Sequence, residues 1–84
     1  MNHSVEIPAP VPLSALALHS RAYITAIDTD ALHLALLKLG VSVGNQLYLS
    51  NIAPLGDPIA IAINGTKISL RKTDAAHIWV QAQS

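Results

Sequence analysis

The spacing of apolar side chains along the chain changes period twice, and each change predicts an element. Arg21 to Ile27 is rich in β-formers and predicts a first strand. Asp28, Thr29 and Asp30 then offer N-cap candidates, with negative charge favoured at a helix start. Ala31 to Leu39 is built almost wholly from strong helix formers, so a helix is predicted over about residues 30–39, with Lys38 in its last turn and Gly40 as its C-terminal cap. The period then falls to two. Gln46 to Ile52 places Leu47 and Leu49 on one face and Tyr48 and Ser50 on the other. Pro54-Leu55-Gly56-Asp57-Pro58 predicts a turn, with Gly56 supplying a special φ and Asp57 bonding nearby backbone N–H groups. Ile59, Ile61 and Ile63 alternate with Ala60 and Ala62, and Asn64-Gly65 is a hairpin signal because a type I′ turn needs positive φ at both centres. Thr66 to Arg71 returns with Ile68 and Leu70 facing inward. A helical turn over 73–76 and a last strand from Ile78 to Ala82 close the pattern.

Residues 1–12 carry Pro8, Pro10 and Pro12, each of which fixes its own φ and extends its predecessor. They predict a flexible proline-rich tail, with a single domain over 13–84 whose first residues form a helical turn near 13–18, capped by Ser14. Five short strands and one inserted helix make a mainly β protein. A small closed barrel filled by the inward Ile, Leu and Val side chains is the expected architecture, since closure leaves few edges.

Composition narrows the function. Five basic and five acidic residues give zero net charge, which disfavours nucleic acid as a partner. The three aromatics, Tyr23, Tyr48 and Trp79, are too few for a stacking platform. There is no cysteine, hence no disulfide framework and no thiolate metal site. No stretch is apolar for long enough to span a membrane and the N-terminus lacks a secretory layout, so a cytoplasmic protein is expected. A charged fraction of 12%, about half the usual level, predicts apolar surface left over after the core is filled, and such surface usually meets a partner.

Several residues are candidates for that contact. On the helix, Leu32, Ala35, Leu36 and Leu39 fall on one stripe, the expected core face, while Leu34 and Leu37 fall nearly opposite. Either the N-terminal segment covers those two, or they form a docking or self-association face whose burial contributes roughly 3–6 kcal/mol before association costs. Leu55 sits at a turn tip as a contact residue or as simple turn structure. Arg71 and Lys72, with Lys67 nearby, are a solvated strand face or an electrostatic docking patch. Trp79 alternates with Ile78 and Val80, which puts it outside, under the proline tail or free as an interface anchor.

The four histidines raise a metal reading. No pair stands at the i, i+4 spacing of a helical ligand pair, which leaves His33, His77 and His19 as weak candidates for a transition metal such as iron or zinc. His3, two residues after the N-terminal Met, suits only a square-planar Cu(II) or Ni(II) set. No nucleophile–base pair, paired carboxylate or glycine-rich phosphate loop is present, so no enzyme is expected and no cofactor is required.

The runs Leu36-Leu37-Lys38-Leu39-Gly40-Val41-Ser42-Val43-Gly44 and Ala53-Pro54-Leu55-Gly56-Asp57-Pro58-Ile59, followed by Ile68-Ser69-Leu70-Arg71-Lys72 and Ala75–Ile78, resemble the FeoA family of bacterial ferrous-iron uptake. Leu13-Ser14-Ala15-Leu16 fits the family's usual start. The resemblance covers residues 13–80 and departs in two places: His19-Ser20 stands where the family often has glycine, and Ala35 where it often has arginine. It implies an SH3-like barrel with a helical insertion, acting beside FeoB, a membrane permease with a cytosolic GTP-binding domain. It also implies similarity to the C-terminal domain of iron-dependent repressors, and with it the alternative of a metal-responsive sensor. A homodimer is a further expectation, through the Leu34/Leu37 face or the Trp79 edge.

Overall fold

The computed structural model describes residues 9–83; the N-terminal tail up to Pro8, including His3, lies outside the described residues. Its elements in order are β1 (Val11–Pro12), a 3₁₀ turn (Leu13–Ala15), β2 (Arg21–Ile27), α1 (Asp30–Lys38), β3 (Gln46–Ile52), β4 (Ile59–Ile63), β5 (Thr66–Leu70), α2 (Lys72–Ala75) and β6 (Ile78–Ala82). The five strands and the helix expected from periodicity are therefore present. A short sixth strand is added: Val11 and Pro12 pair with Val80 and Trp79, so the sheet starts two residues before the expected domain start at Leu13. The 3₁₀ turn is shorter than expected, and its N-cap is Pro12 with no side-chain bond rather than Ser14.

All pairings are antiparallel, in the order β1-β6-β2-β3-β4-β5, so β1 and β5 end the ladder. Two bulges help to curl it. Thr25 is the extra residue of β2 against β6, and Ser50 that of β3 against β4. Each uses its hydroxyl to donate to the partner strand, Thr25 to the Trp79 carbonyl and Ser50 to the Ala60 carbonyl, both at 3.2 Å. The Asn64-Gly65 turn has φ of +52° and +76°, the type I′ signature that its sequence demands, and it pairs Ile63 with Thr66.

The core is the inward side of this curl: Ile24, Leu47, Leu49, Ile59, Ile61, Ile63, Leu70, Ile78 and Val80, closed at one end by Leu13 and Leu16 and joined by Leu36 and Val41. No polar side chain is buried among the described residues. Leu13 and Ala75 are fully buried, and the 3₁₀ turn packs against α2.

Helix α1 is set by its caps. The Thr29 hydroxyl accepts from the Leu32 N–H, and Asp30 puts negative charge in the first turn. At the other end Gly40, with φ +81°, bonds the Leu37 carbonyl while Val41 bonds that of Leu36, the paired closure of a Schellman motif. Val41 is thereby driven into the core. The expected four-residue core stripe is not what the helix buries. Only Leu36 is buried and Leu32 packs partly against the core, while Ala35 and Leu39 are exposed. The helix packs mainly against β2, and its contact with the core runs through Leu36 and Leu32.

Candidate partner-docking surface

The outward side of α1 carries Leu34, 56% exposed, and Leu37, 48% exposed, one turn apart. Leu39, 61% exposed, and Val43 extend apolar surface beyond the helix end. Nothing among the described residues covers Leu34 and Leu37, and the 13–18 segment instead closes the core through Leu13 and Leu16.

Leu55 is the most exposed large apolar side chain, at 96%, on the tip of the β3–β4 turn. Gly56 holds φ +85° there, and the Asp57–Pro58 peptide is cis. Asp57 does not bond a nearby N–H, as expected; its Oδ1 accepts from the backbone N–H of Lys72 at 3.0 Å. The reason is the sheet: β4 and β5 pair Ile59 with Leu70, which carries the turn alongside the start of α2. The base of the turn thus meets Arg71 and Lys72, with Asp57, Pro58, Ser69 and Arg71 lining a shallow cleft, while Leu55 stands out into solvent at the tip. Asp57 and Asp74 are interleaved with these basic residues, which weakens the patch as a purely positive surface.

Trp79 lies on the outer face of β6, half-buried. Its indole N–H donates to Asp28 Oδ2 at 3.0 Å, and the His77 imidazole donates to Asp28 Oδ1 at 2.7 Å. These two donors, the Trp79 bond foremost, hold the Asp28 carboxyl below its ordinary value of 3.8. Pro10 joins Trp79, Thr25, Ala26 and Asp28 around an apolar groove of about 440 Å³, and Pro12 is the register partner of Trp79. The indole is therefore flanked by the chain's own prolines.

The histidines are dispersed. His77 is committed to Asp28, His19 to Tyr48, and His33 is half-buried on α1. Among the described residues no group of three or more His, Asp and Glu side chains is placed to hold a metal ion.

One cluster escaped the sequence reasoning. Arg21 on β2 stands opposite Tyr48 on β3, with its guanidinium carbon 6.0 Å from the centre of the Tyr48 ring. The His19 ring stacks on the same tyrosine at 6.0 Å between centroids, and His19 Nδ1 shares a 2.9 Å hydrogen bond with the Tyr48 hydroxyl. His19 has φ +68°, a left-handed conformation that costs a non-glycine residue energy. Strands β2 and β3 are joined through a helix, not a hairpin, so their register cannot be read from a turn. The available signal was His19-Ser20 in a place where glycine is common.

A curled antiparallel sheet of short strands around a filled core, with one helix that leaves leucines exposed, defines a small SH3-like module. The chain matches the FeoA domain family over residues 11–82 and belongs to that family. It is similar to the FeoA-like protein of Clostridium acetobutylicum, with 25% identity and a TM-score of 0.82, covering 93% of this chain and 92% of that one. It is similar also to the FeoA protein of Chlorobium tepidum, at 33% identity and TM-score 0.81, covering 88% and 71% of the two chains. A manganese-dependent transcriptional repressor in complex with manganese shares the fold over 90% of this chain and 38% of its own, at TM-score 0.80 and 20% identity. The family places this chain among the accessory components of ferrous-iron transport, and no helix in the described residues is long and apolar enough to cross a membrane.

Proposed function

We propose that this protein is a non-enzymatic cytoplasmic module that docks on the cytosolic part of a FeoB-type GTP-binding permease and regulates ferrous-iron uptake. The observation that carries the reading is the pair Leu34 and Leu37, both about half exposed on a well-capped helix whose only buried leucine is Leu36. A helix held by its caps and one core side chain keeps its shape without a partner, so its free leucines can be buried on association at little ordering cost. Docking of this kind needs no cofactor.

The test is calorimetric binding of the untagged full chain to the soluble cytosolic region of its own permease, with and without guanine nucleotide. Micromolar or tighter binding in at least one nucleotide state is expected. Absence of binding in every state overturns the reading and turns attention to direct transition-metal affinity, the property of a sensor.

A further inference from the structure

Arg21 and Tyr48 line a cavity of about 290 Å³ together with Gln46, Asn64 and Gly65. The far wall of that cavity is tied to helix α1. The Asn64 side-chain amide donates to the Gly40 carbonyl at 3.0 Å, immediately after the helix, and to Asn45 Oδ1 at 3.1 Å. The segment that closes α1 is therefore bonded, at Gly40, to Asn64 on the rim of the Arg21 cavity. No carboxylate lines this cavity, and the one ion pair among the described residues is His77 with Asp28. The remaining acids that the structure describes are Asp30 at the helix start, Asp57 in the turn and Asp74 on α2. Lys38, in the last turn of α1, is the nearest charge along the helix and has the same sign as Arg21.

The guanidinium also has an aromatic neighbour. It lies over one tyrosine ring, and that ring is steadied by the stacked and hydrogen-bonded His19, itself kept in a strained backbone conformation. A guanidinium beside an aromatic ring, in a cavity that no carboxylate lines, has N–H donors for a bidentate carboxylate contact. With the Tyr48 ring engaged by both His19 and Arg21, the cluster is poor at stacking a base or an aromatic ligand and suited to an anion.

We propose that Arg21, positioned by Tyr48 and His19, receives an aspartate or glutamate carboxylate of the partner protein, so that the docking footprint couples the leucines of α1 to one charged anchor. The inference rests on the docking reading and adds the partner's chemistry: an apolar patch flanked by an acidic side chain. The anchor sets orientation and salt dependence as much as affinity.

The experiment is the same calorimetric titration of the full chain with the permease's soluble cytosolic region, run at low and at raised salt. Arg21→Gln and Thr73→Glu each lower the net charge by one, the second at an exposed residue of α2 that does not line the cavity. Arg21→Gln is expected to weaken binding by about tenfold or more and to flatten its salt dependence, while Thr73→Glu stays within about twofold of the parent. His19→Gly, which frees the tyrosine and removes the backbone strain, is expected to weaken binding less while the unfolding midpoint is held or raised. Equal effects of Arg21→Gln and Thr73→Glu, or no effect of Arg21→Gln on a parent that binds, overturn the anchor and leave the docking reading standing. Failure of the parent itself to bind overturns both.

Discussion

Strand β4 and helix α1 contain the same kind of side chain and use it in opposite ways. Ile59, Ile61 and Ile63 on β4 are all buried, between 1% and 3% exposed, whereas Leu36 alone is buried on α1 and Leu34, Leu37 and Leu39 are about half exposed or more. The difference is one of neighbours. β4 is flanked by β3 and β5, so every inward position faces a filled interior, while α1 packs mainly against β2. The inward isoleucines of the strand therefore all serve the core, whereas on the helix only Leu36 is buried in it and Leu34, Leu37 and Leu39 stay at the surface.

Substitutions can break that contrast in order of size. The largest effect should come from Ile61→Ala, which leaves a cavity between three strands and is expected to cost about 2–5 kcal/mol in urea unfolding. Leu34→Asp combined with Leu37→Asp should cost no more than about 1–1.5 kcal/mol, through helix propensity, while weakening association at least about tenfold. A double variant that fails to fold in circular dichroism makes those leucines core and removes the contrast. Thr29→Ala, which deletes the only side-chain cap of α1, should lower stability by about 1 kcal/mol and should weaken docking only in proportion to helix fraying, as seen by amide exchange in residues 30–33.

The smallest effect is a pH dependence. The Asp28 carboxyl is held below 3.8 by the Trp79 and His77 donors, so the folded form prefers it ionised. The stability it contributes is fully present above that ordinary value and is lost as pH falls through the lower folded value. Urea unfolding below pH 4 should therefore show a steeper loss for the parent than for Asp28→Asn, with the two slopes converging near neutral pH. Equal slopes below pH 4 show that the bonds to Trp79 and His77 do not favour the ionised carboxyl.

Much of the fold was legible because its signals are local. The alternation in Ile59-Ala60-Ile61-Ala62-Ile63, the Asn64-Gly65 turn and the caps Thr29 and Gly40 each specify geometry within a few residues, and the structure shows each where its pattern puts it. The added strand β1 was hidden because Pro12 cannot donate in a ladder and two residues make no period. The docking candidates were legible as types but not as a map. Leu34 and Leu37 follow from helical angle, whereas the meeting of Asp57 with Lys72, and of Trp79 with Asp28, required the sheet register.

The sequence by itself determined the periods, the turns, the caps and the surplus of apolar side chains, since these follow from backbone preference and composition. Tertiary structure decided which face of the helix meets the core, and hence that Ala35 and Leu39 stay exposed. It also decided that Arg21, Tyr48 and His19 converge beside the end of α1. Those outcomes depend on pairing between strands distant in the chain. A residue carries its own torsional preferences along the sequence, but its neighbours in space are set only when the sheet closes around the core.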